Sequence, residues 1–150
     1  MDDIDRRILT ALQLDAGQTN SELAQAVHVS PPTCLRRVKH LTDTGVITRR
    51  VALVDPSKIG PSLTVIVEIS LDVQAAERMA EFEALVATEP AVLQCYRVAP
   101  GPDFVLIVQV GDMPAYHALA HRLFAAHANV RNVKAYFSTF RSKFETRVAL

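Results

Sequence analysis

The stretch that decides the fold runs from Thr19 to Ile47 and reads TNSELAQAVHVSPPTCLRRVKHLTDTGVI. Thr19 is followed three residues later by Glu22, and this spacing is the capping-box pattern that opens a helix. The apolar residues of that helix recur at helical spacing and share one side, which predicts a packing face. They are Leu23, Ala24 and Val27.

A sharp corner is predicted at His28 and Val29, with His28 in a backbone region that histidine tolerates better than most residues. Ser30 can then cap a second helix that begins near Pro31, where a missing N–H costs nothing. Gly45 supplies a left-handed stop. The run TRRVALVD that follows, residues 48–55, alternates like a strand, so the sequence predicts a winged helix-turn-helix.

The second helix is predicted to be amphipathic when its residues are set 100° apart. The side expected to pack inward comprises Pro31, Cys34, Leu35, Val38 and Leu41. The side expected to face outward comprises Pro32, Thr33, Arg36, His40 and Asp43, flanked by Arg37 and Lys39.

Basic charge is concentrated at this edge of the chain. The span 36–50 holds five Lys or Arg residues against one Asp, a local net charge of +4 in a chain that is neutral overall. Focused basic charge beside an exposed helix is typical of phosphate binding. The candidate DNA-binding residues are Ser30, Pro32, Thr33, Arg36 and His40 near base edges, and Arg37, Lys39, Arg49 and Arg50 at phosphates.

Two runs together carry a resemblance to a known family. SPPTCLRRVKHLTDTGVI, preceded by DDIDRRILTALQLDAGQTNSELAQAVHV, resembles the DNA-binding half of the Lrp/AsnC (leucine-responsive/asparagine regulator) family of transcription factors. The resemblance implies a sequence-specific DNA-binding transcriptional regulator. A solvated amphipathic helix pair, or an interaction module whose basic helix binds an acidic protein, is the alternative interpretation of these residues.

Composition sets broad limits. The 150 residues are 49% hydrophobic and 21% charged, with 16 basic and 16 acidic side chains, as in an ordinary globular protein of one or two domains. An acidic start and the absence of a long apolar run predict no membrane partner and a cytoplasmic location. Cys34 and Cys95 fit neither a redox pair nor a zinc cluster.

The predicted domain boundary lies in a segment rich in proline and glycine. A first helix, residues 2–15, completes a DNA-binding domain over residues 1–54. DPSKIGPS, residues 55–62, is the expected linker. Residues 63–150 then form the second domain, which we expect to bind an effector and to oligomerise.

The second domain alternates strand and helix patterns. Strands are predicted over 63–71, 91–98, 104–110 and 130–140, and helices run from Asp72 to about Ala87 and from Asp112 to about Ala126. LTVIVEISLD and DFVLIVQVGD repeat at an offset of 40 residues, which makes Asp72 and Asp112 matching helix caps. This β-α-β-β-α-β order predicts an α+β protein with a ferredoxin-like second domain.

Both faces of the predicted sheet carry apolar residues. Val65, Val67 and Ile69 alternate with Ile66, and Leu106 alternates in the same way with its neighbours. Two helices cover only one face of four strands, so the second face needs another cover. A second copy of the same sheet is the simplest one, which predicts a homodimer.

This half also resembles the Lrp/AsnC family. The resemblance implies dimers that assemble further, up to octamers, and a small-molecule effector, usually an amino acid, bound near the turn after the second strand. The implied effector residues are Val98, Ala99, Pro100, Gly101, Pro102, Asp103 and Phe104, with Ser138 on the last strand. Ala99 and Pro100 depart from the family pattern of a small hydroxyl residue followed by glycine, and an effector-independent regulator is therefore the alternative.

No constellation predicts catalysis. No glycine-rich phosphate loop and no nucleophile elbow are present. His117 and His121 are spaced for a metal on one helix face, but nothing completes the ligand set, so no metal or cofactor is predicted. A small-molecule enzyme built on the ferredoxin-like half, with the first helices as an accessory, remains the alternative from another class.

Overall fold

The computed structural model describes residues 1–150, which divide into two compact units. One unit contains Met1–Val54 together with Lys143–Leu150, and the other contains Asp55–Ser142. The last eight residues, expected in the second domain, thus group with the first unit. Gln13 on the first helix holds them: its Nε2 donates to the Val148 carbonyl (3.1 Å), and the Val148 N–H donates to its Oε1 (2.7 Å).

The first unit is built from three helices. They are α1 (Asp3–Leu14), α2 (Asn20–Ala26) and α3 (Pro31–Asp43), as the capping and turn residues predict. Each helix contributes apolar side chains to one shared core. This core consists of Ile8, Leu9, Leu23, Ala24, Val27, Cys34 and Leu41.

The second unit is an antiparallel sheet with two helices, and the predicted ferredoxin-like architecture is confirmed. Its elements are β1 (Leu63–Leu71), α4 (Ala76–Ala87), β2 (Val92–Arg97), β3 (Phe104–Val110), α5 (Met113–Ala120), which continues as a π-helical turn (His121–Ala125), and β4 (Val130–Phe137). The strand order is β2-β3-β1-β4. A single 3-10 turn, Pro56–Lys58, lies in the segment expected to be a linker.

Every second residue of the central strands is buried under the helices, as the period of a strand requires. On β1 these residues are Val65, Val67, Ile69 and Leu71, all fully buried. Phe82 of α4 meets Phe104 of β3 with their ring centroids 4.9 Å apart. The other face of each strand is therefore left without cover inside the subunit.

The two predicted helix caps behave differently. Asp112 caps α5, because its carboxylate accepts from the Ala115 N–H at 2.8 Å. Asp72 caps nothing: α4 begins at Ala76, and its N-cap position is Ala75. The side chain of Asn129 bonds both the N–H and the carbonyl of Val73, so these two backbone groups are paired outside the helix.

One predicted strand is absent, and another is shorter than predicted. Residues 48–55 form no strand, because nothing in the subunit pairs with their backbone. The last strand ends at Phe137 instead of Phe140, since β1 begins at Leu63 and leaves no partner beyond Thr64, whose carbonyl accepts from the Ser138 N–H. The helices lack the length and apolar character of a membrane-spanning segment.

Candidate nucleic-acid interface and effector loop

The corner between α2 and α3 forms as the residues predict. Thr19 and Glu22 make the reciprocal capping box, and the N–H of Thr19, followed by its hydroxyl, lowers the pKa of Glu22. His28 adopts a φ of +59°, in the left-handed region. The Val29 N–H then donates back to the Ala24 carbonyl at 3.0 Å, which closes the turn.

The first turn of α3 is fixed from two sides. Pro31 occupies the first helical position, and its carbonyl accepts from the Asn20 amide of α2 at 2.9 Å. Ser30 stands at the N-cap position, but its hydroxyl donates to Thr33 Oγ1 at 2.9 Å instead of accepting a backbone N–H. The predicted side-chain cap is therefore wrong, although the helix begins where expected.

The inward side of α3 is narrower than predicted. Cys34 and Leu41, seven residues apart, are buried, and burial raises the pKa of the Cys34 thiol. Leu35 is 60% exposed, so its predicted packing role is wrong. The line between the two buried residues sets the direction of the core, and Leu35 lies about 100° away from it.

The outward side of α3 presents most of the predicted DNA-binding residues together. Pro32, Arg36, Lys39 and His40 are exposed, Ser30 is exposed at the helix start, and Thr33 is half-buried. Arg49 and Arg50 are exposed in the segment after Gly45, whose φ of +74° ends the helical region. Leu35 joins this surface as an apolar member that the sequence pattern had placed in the core.

Arg37 is the exception among these residues. Its Nη1 donates to Asp5 Oδ1 at 2.8 Å and to both carboxylate oxygens of Asp2 at 2.8 and 2.9 Å. The side chain is only 23% exposed. Arg37, predicted at a phosphate, thus directs its guanidinium to the start of α1 in this structure.

The loop between β2 and β3 is anchored by Asp103. Its Oδ2 accepts from the Leu71 N–H at 2.6 Å, and its own N–H donates to the Ile69 carbonyl at 2.8 Å. The Val98 N–H donates to the Asp103 carbonyl at 3.1 Å and closes the loop. Ala99, Pro100 and Gly101 form the exposed tip, and Val98 and Pro102 are partly buried.

Two residues predicted to bind effector do not lie at this tip. Phe104 is fully buried against Phe82, so its side chain belongs to the core. Ser138 follows β4 beside Thr64, whereas the loop is anchored to Ile69 and Leu71 at the far end of β1. At about 3.3 Å per residue, roughly 20 Å of strand separates them, so one subunit does not unite Ser138 with the loop.

The open face of the sheet has an apolar centre. Ile66 of β1 pairs with Ile107 of β3 on one side and with Tyr136 of β4 on the other. Tyr96 and Val105 pair in the next row across β2 and β3. Ile66 is 39% exposed and Tyr136 is 50% exposed, which is unusual for large side chains at the middle of a sheet.

No group of three His, Cys, Asp or Glu side chains lies close enough to hold a metal ion. His127, which follows His117 and His121 in the sequence, accepts from the Asn129 N–H through Nδ1. His127 and Asn129 form part of the turn before β4.

Known proteins match both units. Residues 1–48 match a winged helix-turn-helix DNA-binding model, and residues 64–148 match the Lrp/AsnC ligand binding domain. The transcriptional activator DecR of Escherichia coli is 34% identical over 150 residues, which is 100% of this chain and 99% of DecR.

Two solved structures share the fold. An AsnC family regulator from Agrobacterium tumefaciens has a TM-score of 0.92 and 36% identity, covering 99% of this chain and 97% of that one. A transcriptional regulator from Neisseria meningitidis, solved as a complex with L-Met, has a TM-score of 0.92 and 30% identity, covering 99% and 96%.

A helix-turn-helix unit joined to a ligand-binding domain defines a DNA-binding transcriptional regulator that responds to a small molecule. Within that class, the chain belongs to the Lrp/AsnC family.

Proposed function

We propose that this regulator reads a specific DNA sequence with the outward side of α3 and that an amino acid controls it. The observation that carries the proposal is the cluster of exposed basic side chains on one side of α3 and just after it. A helix about 10 Å wide with such a surface fits the major groove of duplex DNA. Residues 1–54 would serve DNA, and residues 63 onward the effector and assembly.

The exposure and chemistry of each side chain indicate its proposed contact with DNA. Arg36 can bond a guanine edge with two donors, and His40, Pro32, Ser30 and Thr33 lie on the same surface. Leu35 offers an apolar contact for a thymine methyl group. The remaining cations, Lys39, Arg49 and Arg50, would neutralise phosphates and set the register of the helix on the duplex.

The loop at Ala99, Pro100 and Gly101 is the proposed effector contact. Asp103 holds the loop rigidly against β1, which supplies a fixed surface for a small ligand. The complex of the Neisseria relative with L-Met supports an amino acid as the class of effector. Pro100 and Pro102 have no N–H to offer a carboxylate, so the amides of Ala99 and Gly101 are the backbone donors at the tip.

Isothermal titration calorimetry with a panel of amino acids tests this part of the proposal. Saturable binding of at least one amino acid is the expected result. Gly101→Pro should weaken it, because proline has no amide donor and cannot adopt the φ of +120° that Gly101 has in the loop. Ser138→Ala is the matched control at the distant end of β1. If no amino acid binds, the protein acts as an effector-independent regulator.

The open sheet face is the proposed dimer interface. Burying Ile66, Ile107 and Tyr136 against a second copy would remove an apolar surface from water. The dimer would present two copies of α3, and effector binding would act through unequal affinity for different assemblies, including octamers. Because its partner is double-stranded DNA, we propose that the protein acts in the cytoplasm.

Two substitutions test the DNA-binding surface. Arg36→Ala should weaken binding to a cognate fragment by about tenfold or more while leaving binding to random DNA nearly unchanged, because it removes a base contact. Arg50→Ala should weaken both and reduce the slope of log affinity against log salt by about 1, because it removes a phosphate contact. Electrophoretic shifts over a range of KCl concentrations measure both effects.

Equal loss on the two DNAs for Arg36→Ala would contradict its role at base edges. An unchanged salt slope for Arg50→Ala would contradict its role at a phosphate.

A further inference from the structure

One arginine of α3, Arg37, is bound to two carboxylates of the same subunit. Arg37 Nη1 carries two hydrogens, and three carboxylate oxygens lie within 2.9 Å of it: two from Asp2 and one from Asp5. These hydrogens are therefore committed to the start of α1. The neighbouring Arg36 is exposed and makes no such contact.

The carboxylates of Asp2 and Asp5 are also held by hydrogen bonds to the backbone of α1. The Asp5 N–H donates to Asp2 Oδ1 at 2.9 Å, and the Asp2 N–H donates to Asp5 Oδ2 at 3.1 Å. This capping box fixes both side chains on the first turn of α1. The Asp5 N–H is also the main cause of the lowered pKa of Asp2, and Arg37 is the second cause.

Burial makes this contact stiffer than an ordinary surface ion pair. The Asp5 side chain is only 12% exposed and that of Arg37 is 23% exposed. Arg37 Nε is buried and has no hydrogen-bond partner, so the guanidinium lies against the helices. Surface pairs lose much of their value to solvent and side-chain entropy, and both losses are smaller for the pair of Arg37 with Asp5, whereas the Asp2 side chain is 54% exposed.

We infer that Arg37 is a positioning residue: held by Asp2 and Asp5, it fixes the rotation of α3 against α1 and thereby aims Arg36 and Leu35. This inference rests on the proposed role of α3 in the major groove. Arg37 lies about one turn before Leu41 and one residue after Arg36, so a small rotation about this point moves the whole outward side. A displacement of about 1 Å is enough to disrupt aligned donors at a base edge.

Neutralising an acidic residue near DNA distinguishes positioning of Arg37 from a general effect of charge on DNA binding. Losing a negative charge normally strengthens DNA binding, because it reduces repulsion of the phosphates. If Asp5 positions Arg37, the isosteric change Asp5→Asn should instead weaken specific binding. Asp3→Asn is the matched control, since Asp3 is an exposed acid on the same turn and lies outside the contact.

The experiment measures affinity of the full-length protein for cognate and random duplexes, well below the unfolding temperature, for Asp2→Asn, Asp5→Asn, Arg37→Met and Asp3→Asn. The first three variants should lose about tenfold in cognate affinity relative to random DNA, with the salt slope unchanged. Asp3→Asn should match the wild type or bind both DNAs slightly more tightly. Arg37→Lys should restore part of the specificity, because it keeps the charge but makes fewer bonds.

Three results would overturn the inference. Tighter binding of both DNAs by Asp5→Asn would indicate plain electrostatics. A salt slope reduced by about 1 in Arg37→Met would identify a phosphate contact. A loss of stability with unchanged affinities would leave Arg37 with only a structural role.

Should Arg37→Met fail to fold, the carboxamide variants decide the question alone. A wild-type protein that does not distinguish cognate from random DNA would remove the proposed function itself, whereas each result above presupposes that distinction.

Discussion

Asp72 and Asp112 occupy matching positions in the internal repeat, but only Asp112 caps a helix. Both follow a strand and precede a helix in the internal repeat. Asp112 accepts from an N–H of the first turn of α5, whereas α4 begins four residues after Asp72. The difference arises from Asn129, a residue distant in sequence. Its side chain bonds the backbone of Val73, and α4 begins only at Ala76.

Alanine substitutions at these two positions should have unequal cost. Asp112→Ala removes a helix cap and should lower the free energy of unfolding by about 1 kcal/mol. Asp72→Ala, its matched control, should change that free energy by less than about 0.5 kcal/mol. Urea denaturation at one fixed protein concentration measures both, because the stability of an oligomer depends on concentration.

Equal destabilisation by the two substitutions would mean that Asp72 also caps a helix in solution, contrary to the structure. The direction of the difference is set by one hydrogen bond, Asp112 Oδ1 to the Ala115 N–H.

At the level of single residues, the sequence predicts the chemistry of a side chain better than the direction in which that side chain points. Arg36 and Arg37 are identical side chains one residue apart, and both were predicted to meet DNA. A rotation of 100° directs the second one to Asp2 and Asp5. Nothing local to α3 indicates this contact, because the two carboxylates stand more than thirty residues earlier in the chain.

At the level of elements, local signals are sufficient where the forces are local. The capping box at Thr19, the prolines that begin α3 and the glycine that ends it place both helices of the motif. β1 and β3 begin and end where their apolar runs do. A strand also needs a partner, and residues 48–55 alternate correctly but have none within the subunit.

The loop between β2 and β3 illustrates the same limit. Asp103 was predicted to contact a ligand, and one oxygen of its carboxylate accepts from the Leu71 N–H. Phe104 was predicted beside it, but the alternation of β3 turns its ring into the core. A pattern of adjacent residues locates the loop, and only the register of β1 against β3 shows which atoms remain for a ligand.

At the level of the whole molecule, the repeat in the sequence predicts the sheet, and the apolar residues on both faces predict its uncovered side. The grouping of Lys143–Leu150 with the first unit was not predictable, since it depends on the bonds between Gln13 and Val148. The chain therefore passes between its two units twice, after Val54 and after Ser142.

The central claim is that a dimer presents two copies of α3 to one face of a duplex. Two recognition helices in fixed relation require half-sites spaced by whole helical turns. Binding should thus depend on the rotational phase of the half-sites more than on the distance between them.

The most direct test inserts base pairs at the centre of a footprinted cognate site and measures affinity by electrophoretic shift. An insertion of about 5 base pairs, half a turn, should reduce affinity to that of a single half-site, and one of about 10 base pairs should restore much of it. Identical affinity for the two inserted sites would contradict the paired presentation of α3.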